Sequence, residues 1–500
     1  MTSAPTGRQT TAGILRRLAG GAVALGVAAS ALVVAPAVTS AAPAAAATRC
    51  SSTPFRSDPA RKTWFRIPAV VQTRAGTLVA FAERRDRVTG DDGDFDVVTA
   101  RSTNGGCSWS AYRVIGADAA NRVSNPTPIV DRTTGRILLF SVVAQRAGSG
   151  GKGKGLYLQT SSDDGRTFTP LLARPIRPAG AYKGGLTGPG HGIQLSVRHP
   201  GRILVPMGYK TPAGRYGAYG IYSDDHGATW RTGFDEQDTT GRVQLIEGTV
   251  AELPSGDLFI SFRDKWDGAA VGAARRYAVS KDGGTTLAAP FRRQPMNVVS
   301  VQGSALALKG TYSDHLLFSA PADPTPNLRR EMSVFVSTTK GATWGRRYQV
   351  ELEDTPGSYS DLVQLSPSTI GVLYETGTVT WKERIAFETI AVPSLLNPAR
   401  VTSRVTYQRS ASPTRTSSQA AVTVTVRVGG IASPPGRVTL TYAGARSGRV
   451  AVDLTYSNRG LRVLRLPKLP RGDYRLTLTY SGTGRITPAT VPAGTLRVVS

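Results

Sequence analysis

Cysteine, histidine and acid are all scarce in this chain, and helical periodicity is missing. Two cysteines, Cys50 and Cys107, cannot build a cysteine-rich metal cage or a disulfide scaffold. The four histidines, His191, His199, His226 and His315, are scattered without ligand spacing, so neither a metal nor another cofactor is expected. Only 34 acidic residues face 61 basic ones, which leaves a formal charge of +27 over 500 residues. No long stretch repeats apolar residues at helical spacing, and this removes helix bundles. No segment combines basic and aromatic residues in a nucleic-acid reading motif, so nucleic acid is not an expected partner.

What is present is a repeated phrase, Ser-x-Asp-x-Gly-x-Thr-aromatic. Copies begin at Ser102, Ser161, Ser223, Ser280 and Ser337, at intervals of 59, 62, 57 and 57 residues. The copy from Ser223 keeps Asp225, Gly227, Thr229 and Trp230, and the copy from Ser161 substitutes Phe168 as its aromatic. The copy from Ser280 ends in Leu287, and two have decayed, with Asn104 or Thr339 in place of the acid. Asp and Asn fold back on their own backbone in tight turns, Gly supplies positive φ, and the aromatic enters the next strand. Alternating apolar stretches lie between the copies, such as Ile137-Leu-Leu-Phe-Ser and Leu258-Phe-Ile-Ser-Phe. A period near 60 residues with about four strands predicts propeller blades, and residues 48–400 have room for six.

The ends follow other rules. Residues 1–47 carry Arg8, Arg16 and Arg17, then an apolar alanine-rich run interrupted at Pro36, then Ala45-Ala46-Ala47. This order reads as a secretory signal peptide cut near Ala47, giving a secreted, extracellular protein without a membrane span. In an oxidising compartment Cys50 and Cys107 are expected to pair. Over residues 401–500 strict alternation takes over, as in Val422-Thr-Val-Thr-Val and Tyr474-Arg-Leu-Thr-Leu-Thr-Tyr, which suits a linker and a β-sandwich. The segment from Leu466, Leu-Pro-Lys-Leu-Pro-Arg-Gly-Asp-Tyr, resembles bacterial Ig-like domains. Residues 405–500 hold fourteen basic and two acidic residues, a net +12, enough for salt-dependent attraction to an anionic surface. The fold class expected overall is all-β, a six-bladed propeller followed by a small Ig-like sandwich.

The segment Thr63-Trp-Phe-Arg66-Ile-Pro-Ala69, followed by the turn repeats at blade spacing, resembles the exo-sialidase family of six-bladed propellers over nearly all of residues 60–395. Sialic acid carries a carboxylate on its anomeric carbon, and guanidinium groups bind carboxylate in a planar, bidentate way. The resemblance implies three clamp arginines: Arg66, then Arg263, sixteen residues after Glu247, then Arg329 before the last turn repeat, with Arg330 its neighbouring alternative. It also implies Glu375 as the residue that holds Arg66.

The nucleophile of this family is tyrosine, because a carboxylate would be repelled by the charged carbon it attacks. Pro356-Gly-Ser-Tyr359-Ser-Asp matches that segment. An unperturbed tyrosine is only about 0.1 % ionised at pH 7, so it needs a base, and Glu247 matches the family's. Asp91 matches the acid on the mobile loop, with Asp92 and Asp94 beside it, and Arg85 matches a substrate-contacting arginine. Asn125 and the loop over residues 188–194 resemble pocket segments.

The function so implied is a retaining exo-α-sialidase, a monomer acting on sialylated glycans, glycoproteins and glycolipids through a tyrosyl intermediate. Three alternatives stand beside it: a related nonulosonic acid as substrate, intramolecular transfer to an anhydro-sugar, and a non-catalytic glycan-binding propeller.

Overall fold

The computed structural model describes residues 49–145, 155–237, 239–266, 274–322, 328–351, 355–429, 431, 434–454, 458–483 and 485–500. The expected leader over residues 1–47, with its three arginines, lies outside the described residues. Within them the chain is built from strands, with one short α-helix at Val392–Leu396. No described helix is long and apolar enough to cross a membrane.

Among the described residues, the strands between Ser51 and Ala391 form six antiparallel sheets. Thr63–Gln72, Leu78–Asp86, Asp94–Ser102 and Arg113–Gly116 make the first, and Leu245–Glu252, Leu258–Asp264, Arg275–Ser280 and Arg292–Arg293 another. The last sheet takes its outer strand, Ser51–Arg56, from the beginning of the chain and pairs it antiparallel with Arg384–Ala391. Cys50 and Cys107 are disulfide-bonded with a Cα–Cα distance of 4.9 Å, which ties that strand to the first turn repeat.

Each repeat ends the third strand of its sheet and closes on itself. In the copy from Ser223, Gly227 N–H donates to Ser223 Oγ at 2.8 Å, and Asp225 Oδ1 accepts from Thr229 N–H at 2.8 Å and from Ser223 Oγ–H at 2.7 Å. The copies from Ser161 and Ser280 repeat this pattern. The decayed copies keep part of it: Asn104 accepts from Ser108 N–H at 3.0 Å, and Thr339 Oγ1 accepts from Thr343 N–H at 2.8 Å. Trp230 lies buried against Phe140 of the preceding sheet at 4.8 Å between ring centres, so the aromatic fastens adjacent sheets together.

The opposite ends of the sheets are irregular. The first strands of four sheets lose register near this end: between Arg66 and Ala69, Ser124 and Thr127, Ile246 and Gly248, and Gly357 and Ser360. Three of these bulges hold a non-glycine residue in the left-handed region, Ile67 at φ 60°, Asn125 at 54° and Glu247 at 56°. Bulges re-aim side chains, and strain of this kind costs of order 1–3 kcal/mol per residue.

Beyond residue 400 two further sheets share one core. Ser403–Arg409, Ala421–Val428 and Leu461–Arg465 form one, and Gly436–Ala443, Gly448–Leu454, Gly472–Tyr480 and Ala489–Val499 make up most of the other. Val422, Val424, Val426 and Leu464 meet Val438, Leu440, Leu476 and Leu478 in a single buried cluster. The alternation read from the sequence is the alternation of inward and outward faces.

Candidate functional site

The bulged strand ends bring a charged cluster together. Arg66 is buried, and its Nε and Nη2 donate to the two oxygens of Glu375 at 2.8 and 3.3 Å. Glu375 has no solvent exposure and also accepts from the backbone N–H groups of Ile67 at 2.9 Å and Tyr359 at 3.2 Å. One carboxylate therefore fixes the arginine, the strained turn beside it and the backbone of the tyrosine. Burial works against the charge of Arg66, but Glu375, followed by Tyr359, holds its pKa above the ordinary arginine value.

Tyr359 points at Glu247. Its hydroxyl donates a short hydrogen bond to Glu247 Oε1, while Glu247 Oε2 accepts from Arg263 Nη1 at 2.9 Å. Arg263 Nη1 also lies 3.4 Å from the tyrosine oxygen, and its Nε donates to Ser300 Oγ at 3.3 Å. Burial first, and the Glu247 carboxylate second, push the phenol well above the ordinary tyrosine pKa, with Arg263 and Arg66 opposing. The resting tyrosine is thus a neutral phenol whose proton already lies on a path to a carboxylate.

Arg329 reaches the cluster from the segment before Met332–Ser337. Its Nη1 donates to Ser358 Oγ at 3.1 Å, and its guanidinium lies 6.0 Å from the centre of the Tyr359 ring. Burial, with Arg263 and Arg66 adding repulsion against the pull of Tyr359, lowers its pKa. The neighbouring Arg330 forms a backbone bridge with Pro356.

Asp91 stands over the arginines on the loop between Leu78–Asp86 and Asp94–Ser102, with its side chain 87 % exposed. Arg85 Nη1 donates to its Oδ1 at 2.9 Å, and Arg66 Nη1 lies 3.7 Å away. Partial burial is outweighed by Arg85, with help from Arg66 and Arg329, so the Asp91 carboxyl is held below the usual aspartate range. Asp92 turns to Arg122, and Asp94 begins the next strand.

Arg85 is itself buried, held by Glu83 Oε2 at 2.6 and 2.9 Å. Glu83 Oε1 in turn accepts from the Asn125 N–H at 2.9 Å, and Asn125 Nδ2 donates to the carbonyl of Thr187 at 3.3 Å. Asn125 thus joins the cluster through Glu83. The loop over residues 188–194 packs on the first strands: the Pro189 carbonyl accepts from Gln302 Nε2 at 3.1 Å, and His191 Nδ1 lies 2.7 Å from the buried carboxylate of Asp361.

Two residues at the site escaped sequence reasoning. The Trp381 ring lies 4.3 Å from the Arg66 guanidinium and 5.1 Å from that of Arg329, stacking on both. It sits in the loop between Thr369–Thr376 and Arg384–Ala391, where Glu383 accepts from the N–H groups of Thr378, Val379 and Thr380. Glu83 is the other, and it carried a usable signal: it stands two residues before Arg85, on the same face of one strand. Among the described residues no group of three or more His, Cys, Asp or Glu side chains could hold a metal ion.

Arginines on three sides of a buried, base-paired phenol can bind a carboxylate while the phenol attacks a carbon next to it. Comparison with known proteins finds sialidases. Residues 76–372 match the BNR repeat-like domain. The chain is 32 % identical over 338 residues to a sialidase of Micromonospora viridifaciens, a match covering 63 % of this chain and 50 % of that protein. It is 30 % identical over 352 residues to an exo-alpha-sialidase of Arthroderma benhamiae, covering 62 % of this chain and 78 % of that one. The chain therefore spans about half the length of the Micromonospora protein. Among solved structures, the Hadza microbial sialidase Hz136 superposes with a TM-score of 0.59 at 24 % identity, covering 69 % of both chains.

Proposed function

Because the chain belongs to the sialidase family of glycoside hydrolases, we propose that it is a secreted, retaining exo-α-sialidase that removes terminal sialic acids from glycoproteins, glycolipids and other glycans. The observation that carries this reading is the Tyr359–Glu247 hydrogen bond set among Arg66, Arg263 and Arg329. A glycan-binding protein would need the arginines but gains nothing from a phenol aimed at a carboxylate.

The sugar carboxylate pairs with the three guanidinium groups, whose mutual repulsion favours an anion between them. Tyr359 Oη then attacks the anomeric carbon as its proton passes to Glu247. The bond to the aglycone oxygen breaks, and that oxygen takes a proton from Asp91. In the free enzyme Asp91 is bound to Arg85 and Arg66, which favours the carboxylate; a bound sugar carboxylate engages Arg66 and weakens that restraint. In the second half, water attacks the same carbon and gives its proton to Asp91, while Glu247 returns the proton to the departing tyrosine oxygen. Two inversions leave the configuration retained.

The reading extends to the architecture. Residues 1–47 serve as signal peptide, 48–400 as a six-bladed propeller, and 401–500 as a linker and Ig-like sandwich. Six successive sheets support the propeller, and so does the outer strand that the chain's beginning lends to the last sheet. The basic sandwich adds electrostatic attachment to anionic surfaces: its two acids, Asp453 and Asp473, are paired with Arg437 and Arg497, so the other basic residues are not neutralised by acids of their own domain.

The test is turnover of an aryl α-sialoside by the mature protein, with proton NMR of the first product. Free sialic acid as the α-anomer is expected, and Tyr359→Phe loses on the order of 10³-fold or more in kcat. A Tyr359→Phe enzyme with wild-type kcat would remove the nucleophile from the mechanism. An anhydro-sugar product would instead identify intramolecular transfer.

A further inference from the structure

Behind the clamp lies a buried arginine that the proposed reaction does not use. Arg275 opens the strand Arg275–Ser280, pairs across the sheet with Arg263, and is 1 % exposed. Its Nε donates to Ser261 Oγ at 3.1 Å, Nη1 to the carbonyl of Val301 at 3.0 Å, and Nη2 to the carbonyl of Ser261 at 3.3 Å. The guanidinium lies 4.7 Å from the centre of the Phe318 ring. All three hydrogen-bond acceptors are neutral, and among the described residues no carboxylate lies within ion-pair distance. A buried cation without a counter-ion is costly, and an apolar side chain of similar length would fill the space at less expense.

The contact with Val301 shows what the cation does. Val299 and Val301 pack with Ile67 against Tyr359. Between them, Ser300 Oγ accepts from Arg263 Nε, and Gln302 brackets the backbone of Ser360, donating to its carbonyl and accepting from its N–H, both at 3.0 Å. Residues 299–302 are thus the wall behind both the tyrosine and one clamp arginine, and Arg275 holds that wall from the rear.

Burial pushes the Arg275 pKa down to about 9, with Glu247 opposing the shift and Arg263 adding to it. At neutral pH it remains a cation.

We propose that Arg275 is a positioning residue for the sialidase reaction, fixing residues 299–302 so that the Tyr359 oxygen stays on the line between Glu247 and the anomeric carbon. It touches neither substrate nor the reacting atoms, and it rests on the reading of Tyr359 as nucleophile.

The variants are Arg275→Met, which keeps length and loses the hydrogen bonds and charge, and Arg275→Lys, which keeps the charge and can reach Val301. A displaced nucleophile costs about 100-fold. Arg275→Met should therefore lose about that factor in kcat with KM changed less than about threefold, and Arg275→Lys should regain most of the loss. Amide hydrogen exchange of the same proteins should rise at least about tenfold at residues 299–302 and 358–361 in Arg275→Met, with Ile203–Lys210 unchanged. A folded Arg275→Met with wild-type kcat, or with unchanged exchange in those two segments, overturns the proposal. An inactive wild-type protein would count against the sialidase reading alone, since the exchange measurement still decides whether Arg275 holds the wall.

Discussion

The two ends of the sheets solve opposite problems with the same strands. At the turn end, every intact repeat satisfies its own polar groups: Ser161, Ser223 and Ser280 each bond their Asp and Gly, and each Asp bonds its Thr. At the other end, Arg66, Arg263 and Arg329 crowd around one phenol, and Ile67, Asn125 and Glu247 hold left-handed backbone conformations that L side chains disfavour. Left-handed residues are not peculiar to either end, since Asp164, His226 and Lys340 hold such conformations inside the repeats; what differs is that the periodic end satisfies its own polar groups and the irregular end gathers like charges. The difference teaches that the repeat is scaffold, and that the charged cluster sits where the repeat is absent.

The sharpest way to break this contrast is Glu375→Ala. It leaves Arg66 buried without its carboxylate and also frees the N–H groups of Ile67 and Tyr359. Removing one partner of a buried pair costs about 3–5 kcal/mol, so thermal unfolding should fall steeply and kcat/KM should collapse together with it. Retained stability in Glu375→Ala would show that the site end does not hold its charges as described.

At the turn end Asp225→Ala should do the reverse. Three hydrogen bonds from Thr229 and Ser223 disappear from an exposed turn, worth about 1–2 kcal/mol in total. Unfolding temperature should drop modestly while kcat and KM remain at wild-type values, because the reacting groups proposed above lie at the other end. A large change in kcat would dissolve the division between the ends.

The repeat aspartates and Tyr359 should also lose their contributions at opposite extremes of pH. Asp163 and Asp225 are partly desolvated, yet hydrogen bonds led by those of Thr167 and Thr229 depress both to about 2. Unfolded aspartate titrates near 3.9, so their contribution is complete above about pH 4 and disappears as pH falls through 2. Tyr359 shifts the other way. Its raised pKa means the unfolded chain ionises first, so its contribution is intact below about pH 10 and is lost as pH rises beyond that. Denaturant titrations from pH 2 to 11 should show Asp163→Asn and Asp225→Asn flattening only the acid limb, and Tyr359→Phe only the alkaline one.

How much of this was legible in the sequence follows from the same contrast. The repeat announced itself because a self-contained turn needs fixed residue types at fixed spacing, and the sandwich strands did because their faces alternate. Arg66, Glu247, Arg263, Tyr359 and Glu375 could be named only through family resemblance, since their partners lie as far apart as the 309 residues between Arg66 and Glu375. Trp381 and Arg275 escaped altogether. One is a lone aromatic in an irregular loop, the other one arginine among 61 basic residues, and only folding gives either a neighbour worth noticing. The loop over residues 188–194 was legible only as a resemblance, and folding is what gives it its neighbours, Asp361 beside His191 and Gln302 on the Pro189 carbonyl.

The smallest expected effect tests whether strain at the site end is structural or incidental. Asn125 occupies φ 54°, a region that Asn visits more readily than most residues, and its N–H is held by Glu83. Asn125→Gly removes the steric penalty but adds unfolded-chain entropy and loses the bond to Thr187, so stability should move by less than about 0.5 kcal/mol. Asn125→Val keeps the N–H but forces a β-branched residue into the left-handed region, which should cost about 1–2 kcal/mol. If the bulge sets the position of Glu83 and through it Arg85, the valine variant should also raise KM more than the glycine variant does. Equal KM in the two would mean that Glu83 and Arg85 hold their places without the Asn125 bulge, and that its strain plays no part in the site.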